Sequence, residues 1–234
     1  MPDPTVVLIH GAFADASSWR GLHAALAGDG LDVRAPANPL RGVTGGDAAY
    51  TQSVLAAIDG PVVLVGHSYG GVVITAAGLS ENVVGLVYVA GFAPDEGEDL
   101  GQLLSKFPAA VAVQYVPRAL PDAGQELFVD PTGFHEAFCA DLPADQASFM
   151  AISQRPVAAV ALGEKGGVPA WRSKPSWAVL PTADGMIPPD LHRFSYDRMG
   201  STVTVVEGAS HVVMLSEPAV VAETVRQAVR ACAK

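Results

Sequence analysis

Ser68 lies in the stretch Val62–Ile74, VVLVGHSYGGVVI, where one apolar run leads into Gly-His-Ser-Tyr-Gly-Gly and a second follows. A hydroxyl between glycines, where a buried strand hands over to a helix, is badly placed for core packing and well placed for nucleophilic attack. At the apex of a sharp strand-to-helix turn a serine is held in a strained conformation with its hydroxyl presented outward. Gly66 and Gly70 occupy positions where a Cβ would collide with the neighbouring strand or helix, and Gly71 lets that helix pack closely. The same turn sets the Tyr69 N–H at a helix N-terminus, aimed where an oxyanion develops during acyl transfer. The five-residue spacing alone is a weak signal, and its position between strand and helix is what gives it meaning. The alternative reading is a glycine-rich turn with a capping serine.

A serine hydroxyl is unreactive without a base. Of the six histidines, His211 in Gly-Ala-Ser-His follows directly on the last strand pattern and is the expected base. His67 adjoins the serine, but its side chain is expected to point away from the active edge. His10 ends the first strand and should brace a loop. His23 falls within a helix pattern, His135 in an irregular region and His192 in a late helix. The carboxylate that holds the tautomer of the base is expected to be Asp184, in Pro-Thr-Ala-Asp-Gly after the fifth strand. Asp95 with Glu96 is the rival, and an Asp before Gly is also a common turn former. The chain order Ser68, Asp184, His211 is the one that goes with a nucleophile elbow. In the first loop, IHGAFADASSW, the Ala12 N–H is the expected second oxyanion donor, with Phe13 as alternative.

These residues require elements to position them. Thr5–Ile9, Leu31–Ala35, Pro61–Val65, Val83–Val89, Trp177–Leu180 and Thr202–Val206 read as strands, several with the continuous apolar character of strands buried on both faces. Helices are expected from a cap at Ser17 or Ser18 to about Ala27, and over Asp47–Asp59, Tyr69–Leu79, Pro189–Met199 and Pro218–Ala231. Gly28 and Gly30 should stop the first of these, and Pro218 suits the first turn of the last. The alternation implies an α/β fold with about six mostly parallel strands flanked by helices. Such a sheet binds its ligand beyond the carboxyl ends of its strands. Residues 93–175 break the pattern, with many prolines, short helical stretches and no clear buried strand. They are expected to form a helical cap inserted after the fourth strand, on a core of residues 1–92 and 176–234.

Composition narrows the function further. Half of the 234 residues are apolar, 16% are charged and the net charge is −10. This chain lacks the basic footprint that nucleic acid requires and would be repelled by anionic membrane surfaces. No apolar run reaches the ~18 residues of a membrane span. The opening Met-Pro-Asp-Pro has neither a basic stretch nor an apolar core, so a cytoplasmic location is expected. Cys139 and Cys232 match no metal spacing and read as reduced thiols. No metal or cofactor is called for, and the oligomeric state, monomer or homodimer, is left open.

Taken together, HGAF after the first strand, GHSYGG at the elbow, GLVYVAGFAPDEGE after the elbow helix, TADG, and GASHVVML near the end resemble the α/β-hydrolase superfamily over almost the whole chain. Within it the sequence is similar to small bacterial esterases akin to the plant methyl esterase and hydroxynitrile lyase group. The resemblance implies Ser68, Asp184 and His211 as a triad, with the Ala12 and Tyr69 amides as oxyanion donors. It also implies a sheet of six strands rather than eight, because the chain starts at what is the third strand of larger members. The lyases of that group carry a threonine near the first-strand His-Gly and a lysine after the catalytic histidine. Here Gly11-Ala12 and His211-Val212 stand instead, which favours hydrolysis. Dehalogenase and epoxide-hydrolase branches have an aspartate at the elbow. The expected reaction is hydrolysis of a small, mostly apolar carboxylic ester through an acyl-enzyme. Lactone, amide or carbon–carbon bond hydrolysis, perhydrolysis, or a receptor without turnover are the alternatives. Phe13, Trp19, Phe92, Trp171, Met186 and Met214 are candidates to line the acyl pocket.

Overall fold

The computed structural model describes residues 3–109, 111–121 and 124–233. Among the described residues nine strands run in chain order as β1 (Thr5–Ile9), β2 (Val33–Arg34), β3 (Val62–His67), β4 (Val83–Val89), β5 (Tyr115–Ala119), β6 (Gln125–Val129), β7 (Val157–Ala158), β8 (Ser176–Pro181) and β9 (Thr202–Val206). Six of them form one sheet in the order β2-β1-β3-β4-β8-β9, and every pairing in it is parallel. β1, β3 and β8 bury every residue, as strands covered on both faces must. The edge strands are more polar or shorter: β9 is partly exposed, and β2 is only two residues long where the sequence suggested five.

The helices are α1 (Arg20–Gly28), α2 (Ala48–Ala56), α3 (Tyr69–Ala77), α4 (Leu100–Lys106), α5 (Phe134–Phe138), α6 (Ala144–Ile152), α7 (Pro189–Met199), α8 (Val213–Ser216) and α9 (Pro218–Cys232). α1 packs on α9, and α9 on β3, β4 and β8; α2 packs on α3, and α3 on β1, β3 and β4. α9 buries Val221, Val225, Ala228 and Val229, the i, i+4, i+7, i+8 stripe of a helix with one apolar face. Burial of each of these valines is worth about 1.5–3 kcal/mol. Pro218 starts this helix, as its fixed φ allows. The first helix is entered differently from the sequence reading. Asp15, not Ser17 or Ser18, is the cap, accepting from the Ser17 N–H at 2.7 Å and opening a 3₁₀ turn over Ala16–Trp19. An aspartate carboxylate is as good an acceptor as a serine hydroxyl there.

The segment between β4 and β8 is not purely helical. β5, β6 and β7 form a second, antiparallel sheet beside α4, α5 and α6. β5, YVPRA, is exposed along its whole length. A solvated edge strand needs no apolar run and tolerates a proline, so it leaves little trace in the sequence.

Candidate active site

The β3–α3 turn brings the backbone to Ser68 with φ 52° and ψ −122°, a left-handed conformation that costs a non-glycine residue of the order of 1–3 kcal/mol. Two glycines make the turn possible. A Cβ on Gly66 would lie 2.5 Å from the Gly70 carbonyl oxygen, and one on Gly11 would lie 2.7 Å from Ser68 Cβ. The first keeps β3 against the start of α3. The second lets the loop after β1 pass directly over the serine.

The loops after β8 and β9 hold the two other polar groups. Asp184 and His211 are both buried, and His211 donates from Nδ1 to Asp184 Oδ2 at 2.8 Å. A carboxylate only accepts, so the His211 proton sits on Nδ1. Nε2, buried and without a hydrogen-bond partner, is then the nitrogen able to take a proton. Asp184 Oδ1 accepts from the Met186 and Ile187 N–H groups at 2.8 and 2.9 Å. Burial alone would raise the Asp184 pKa; the His211 charge and the bonds from His192 and His211 outweigh it and hold the group below the ordinary carboxylate range. The rivals Asp95 and Glu96 are bound elsewhere, to Arg172 at 2.6 and 3.1 Å.

Other histidines fill supporting places. His67 does not point away: its ring lies 4.7 Å from that of His211, and Nε2 donates to the His211 carbonyl at 3.0 Å. Burial, then the neighbouring His211 charge, push its pKa well below the usual histidine value. Trp19 meets the His67 ring edge-on. His10 braces a loop: Nδ1 donates to the Gly11 carbonyl, Nε2 accepts the Asn38 N–H, and the Asn38 side chain donates to the His10 carbonyl.

A pocket of about 410 Å³, counting its open mouth, lies over Ser68. Ala12, Phe13, Tyr69, Phe92, Met186 and Ile187 line it from the sheet side, and Leu100, Leu104, Tyr115, Val157 and Leu162 from the segment between β4 and β8. None of these side chains is charged. Of the six expected lining residues, Phe13, Phe92 and Met186 are there. Trp19 and Met214 are buried in the core, and Trp171 stands apart, donating from Nε1 to the Pro94 carbonyl with Arg198 and Arg172 over its ring. Large apolar side chains pack equally well in a core or a pocket, so residue type could not separate the two. The Phe13 N–H is committed to the Arg155 carbonyl at 2.8 Å. The Tyr69 hydroxyl donates to buried Asp47 at 2.8 Å, which also accepts the Arg41 and Gly42 N–H groups.

The segment between β4 and β8 reaches under the pocket as well. Phe138 meets the His211 ring edge-on at 5.2 Å, Asp141 accepts the Ser210 N–H at 2.9 Å and its hydroxyl, and the Ala137 backbone packs tightly on Gly185. Neither Asp141 nor His192, which also reaches Asp184, carries a local sequence signal, because both act through contacts distant in the chain. Among the described residues, no cluster of three or more His, Cys, Asp or Glu is arranged to hold a metal ion, and no helix is long and apolar enough to cross a membrane.

Comparison with known proteins gives the lineage. The chain is 34% identical over 124 residues to the carbendazim hydrolyzing esterase of Nocardioides sp., a match spanning 47% of this chain and 51% of that one. It thus spans about half the length of the curated relative it matches. Among solved structures, polyneuridine aldehyde esterase superposes with a TM-score of 0.81 at 21% identity, covering 97% of this chain and 99% of that one. A methylesterase from Arabidopsis gives 0.77 at 18%, covering 97% and 99%. These likenesses show the fold, and the sequence profile of the alpha/beta hydrolase family matches residues 6–224. With that match, a parallel six-stranded sheet and a serine at the turn after its third strand, the chain belongs to the alpha/beta hydrolase family.

Proposed function

We propose that the protein is a serine hydrolase that cleaves small, uncharged carboxylic esters through an acyl-enzyme. The observation that carries the reading is the Asp184–His211 couple, whose Nε2 is left open, together with an elbow serine under strain that follows His67, whose ring lies 4.7 Å from that of His211. In this reading His211 takes the Ser68 proton through Nε2, and Ser68 Oγ attacks the ester carbonyl. Asp184 holds the imidazole on the right tautomer and stabilises the imidazolium. The Ala12 and Tyr69 N–H groups receive the oxyanion; the commitment of the Phe13 N–H to Arg155 favours Ala12 over its neighbour. His211 then protonates the leaving alcohol, and later activates the water that releases the acid.

The uncharged lining supports an apolar acyl group, since an anionic one would be desolvated without a partner. The 93–175 segment acts as the cap, because it contributes five of the lining residues named above. In this reading it is inserted on a core of residues 1–92 and 176–234, between β4, which ends at Val89, and β8, which begins at Ser176. The similarity to a carbendazim hydrolyzing esterase supports ester hydrolysis over a receptor role. The test is hydrolysis of p-nitrophenyl esters from acetate to octanoate by wild type and Ser68→Ala. Turnover should fall by about 10³-fold or more in the variant, with the best substrate among the shorter chains. Near-normal turnover by Ser68→Ala would refute the assignment.

A further inference from the structure

Asp184 Oδ2 receives two imidazoles. His211 donates from Nδ1 at 2.8 Å, and His192 from Nε2 at 3.0 Å. With Met186 and Ile187 on Oδ1, all four directions in which the carboxylate accepts are filled. His192 projects from the first turns of α7 and is itself buried. Its ring stacks on Tyr196 one turn later, at 5.4 Å and 22°. The Tyr196 hydroxyl is pinned in turn by the Gly91 N–H and carbonyl, at 2.9 Å each. Since a carboxylate cannot donate, the His192 ring carries its proton on Nε2, and Nδ1 is left buried without a partner. A buried imidazole that satisfies only one of its two nitrogens is poorly used as core filling.

We infer that His192 is a positioning residue for His211: its Nε2–H fixes the rotamer of Asp184 and draws off part of the Oδ2 charge that His211 would otherwise feel. This inference rests on the reading of His211 as the base only where it speaks of turnover. The direction follows from charge. Removing the second donor leaves Oδ2 to His211 alone, which favours the protonated His211 ring. His211 should then protonate at higher pH, and activity should be lost at higher pH on the acid side. The other titratable groups facing the pair are His67 from the end of β3 and Tyr196 from α7; burial holds the first below and the second above its ordinary range. Arg198 on α7 turns elsewhere, to Glu98 and the Ala93 carbonyl, and Arg193 pairs with exposed Asp190.

The experiment is NMR titration of ¹⁵N-histidine-labelled wild type, His192→Leu and His192→Gln, with ester hydrolysis followed across the same pH range. Gln keeps an N–H donor at similar reach; Leu removes it. In His192→Leu the His211 midpoint and the acid limb of kcat/KM should both move up by roughly one pH unit, the size of one hydrogen bond to a charged group. His192→Gln should stay near wild type, and KM should change little in either. An unmoved His211 midpoint in His192→Leu overturns the inference, as does an equal shift in His192→Gln. Should His192→Leu not fold, His192→Asn, whose shorter side chain cannot reach Asp184, is read against His192→Gln by the same criteria. A His211 midpoint that moves as expected in a protein whose hydrolysis does not depend on Ser68 would uphold this inference while refuting the proposed reaction.

Discussion

Replacing Asp184 by Asn is the most informative single change, because the surroundings dictate how the amide must lie. Oδ1 of Asp184 accepts two main-chain N–H groups, from Met186 and Ile187. Those donors cannot change tautomer, so the amide oxygen of Asn has to face them. Its NH₂ group is then turned toward His211 Nδ1 and His192 Nε2, both of which now donate to Oδ2. Two donors cannot face each other at about 3 Å, so His211 is driven to the tautomer with its proton on Nε2. That ring cannot accept the Ser68 proton. The loss should approach the ~10⁴-fold that accompanies a wrong tautomer in a serine triad, or about 5 kcal/mol in the barrier. Steady-state hydrolysis of p-nitrophenyl acetate reads it, with Ser68→Ala as the floor and far-UV circular dichroism as the control for folding. A folded Asp184→Asn within about tenfold of wild type would rule out a role for the His211 tautomer in turnover.

The same carboxylate links stability to pH. Its pKa is lowered in the folded state despite burial, so it contributes stability above the unfolded aspartate value near 3.9 and loses it as pH falls through the lower folded value. The Tm gap between wild type and Asp184→Asn should therefore be wide at neutral pH and narrow below about pH 4; a gap constant down to pH 3 would contradict this. Tyr69→Phe deletes the 2.8 Å bond to Asp47 while leaving that carboxylate the Arg41 and Gly42 N–H groups. It should cost about 1–2 kcal/mol, a Tm drop of roughly 2–8 °C, with kcat held within about threefold because the proposed reaction uses the Tyr69 amide and not its phenol. A large fall in kcat with no change in Tm would give the phenol a chemical role instead.

Much of this arrangement was legible in the chain because it rests on local rules. β1, β4 and β9 run between the residues their β-branched stretches indicated. The glycines around Ser68 announce a turn that only small residues can make. The structure brings Asp184 and His211 together, and each stands in a loop just after a strand, where a parallel sheet presents its polar groups. What stayed hidden depends on packing across the chain. β5 is exposed and holds a proline, so it has no burial pattern to read. Trp19, Trp171 and Met214 have the residue types of a pocket and the positions of core or surface. His192 shows nothing in its own helix of the carboxylate it meets, because that contact exists only once α7 docks beside β8.

The contacts of Phe138 and Asp141 bear on how this protein could be diversified. Specificity in such folds is altered by exchanging the chain between two strands, on the premise that what covers a site is separable from what works it. Here Phe138 abuts His211, Asp141 grips Ser210, and Ala137 rests on Gly185, so the stretch around α5 is foundation rather than roof. A graft that replaced the whole insertion would unsettle His211 and Asp184 along with the walls. One that kept residues 134–142 and renewed the lining at Leu100, Leu104 and Tyr115 would change what enters while leaving the machinery standing.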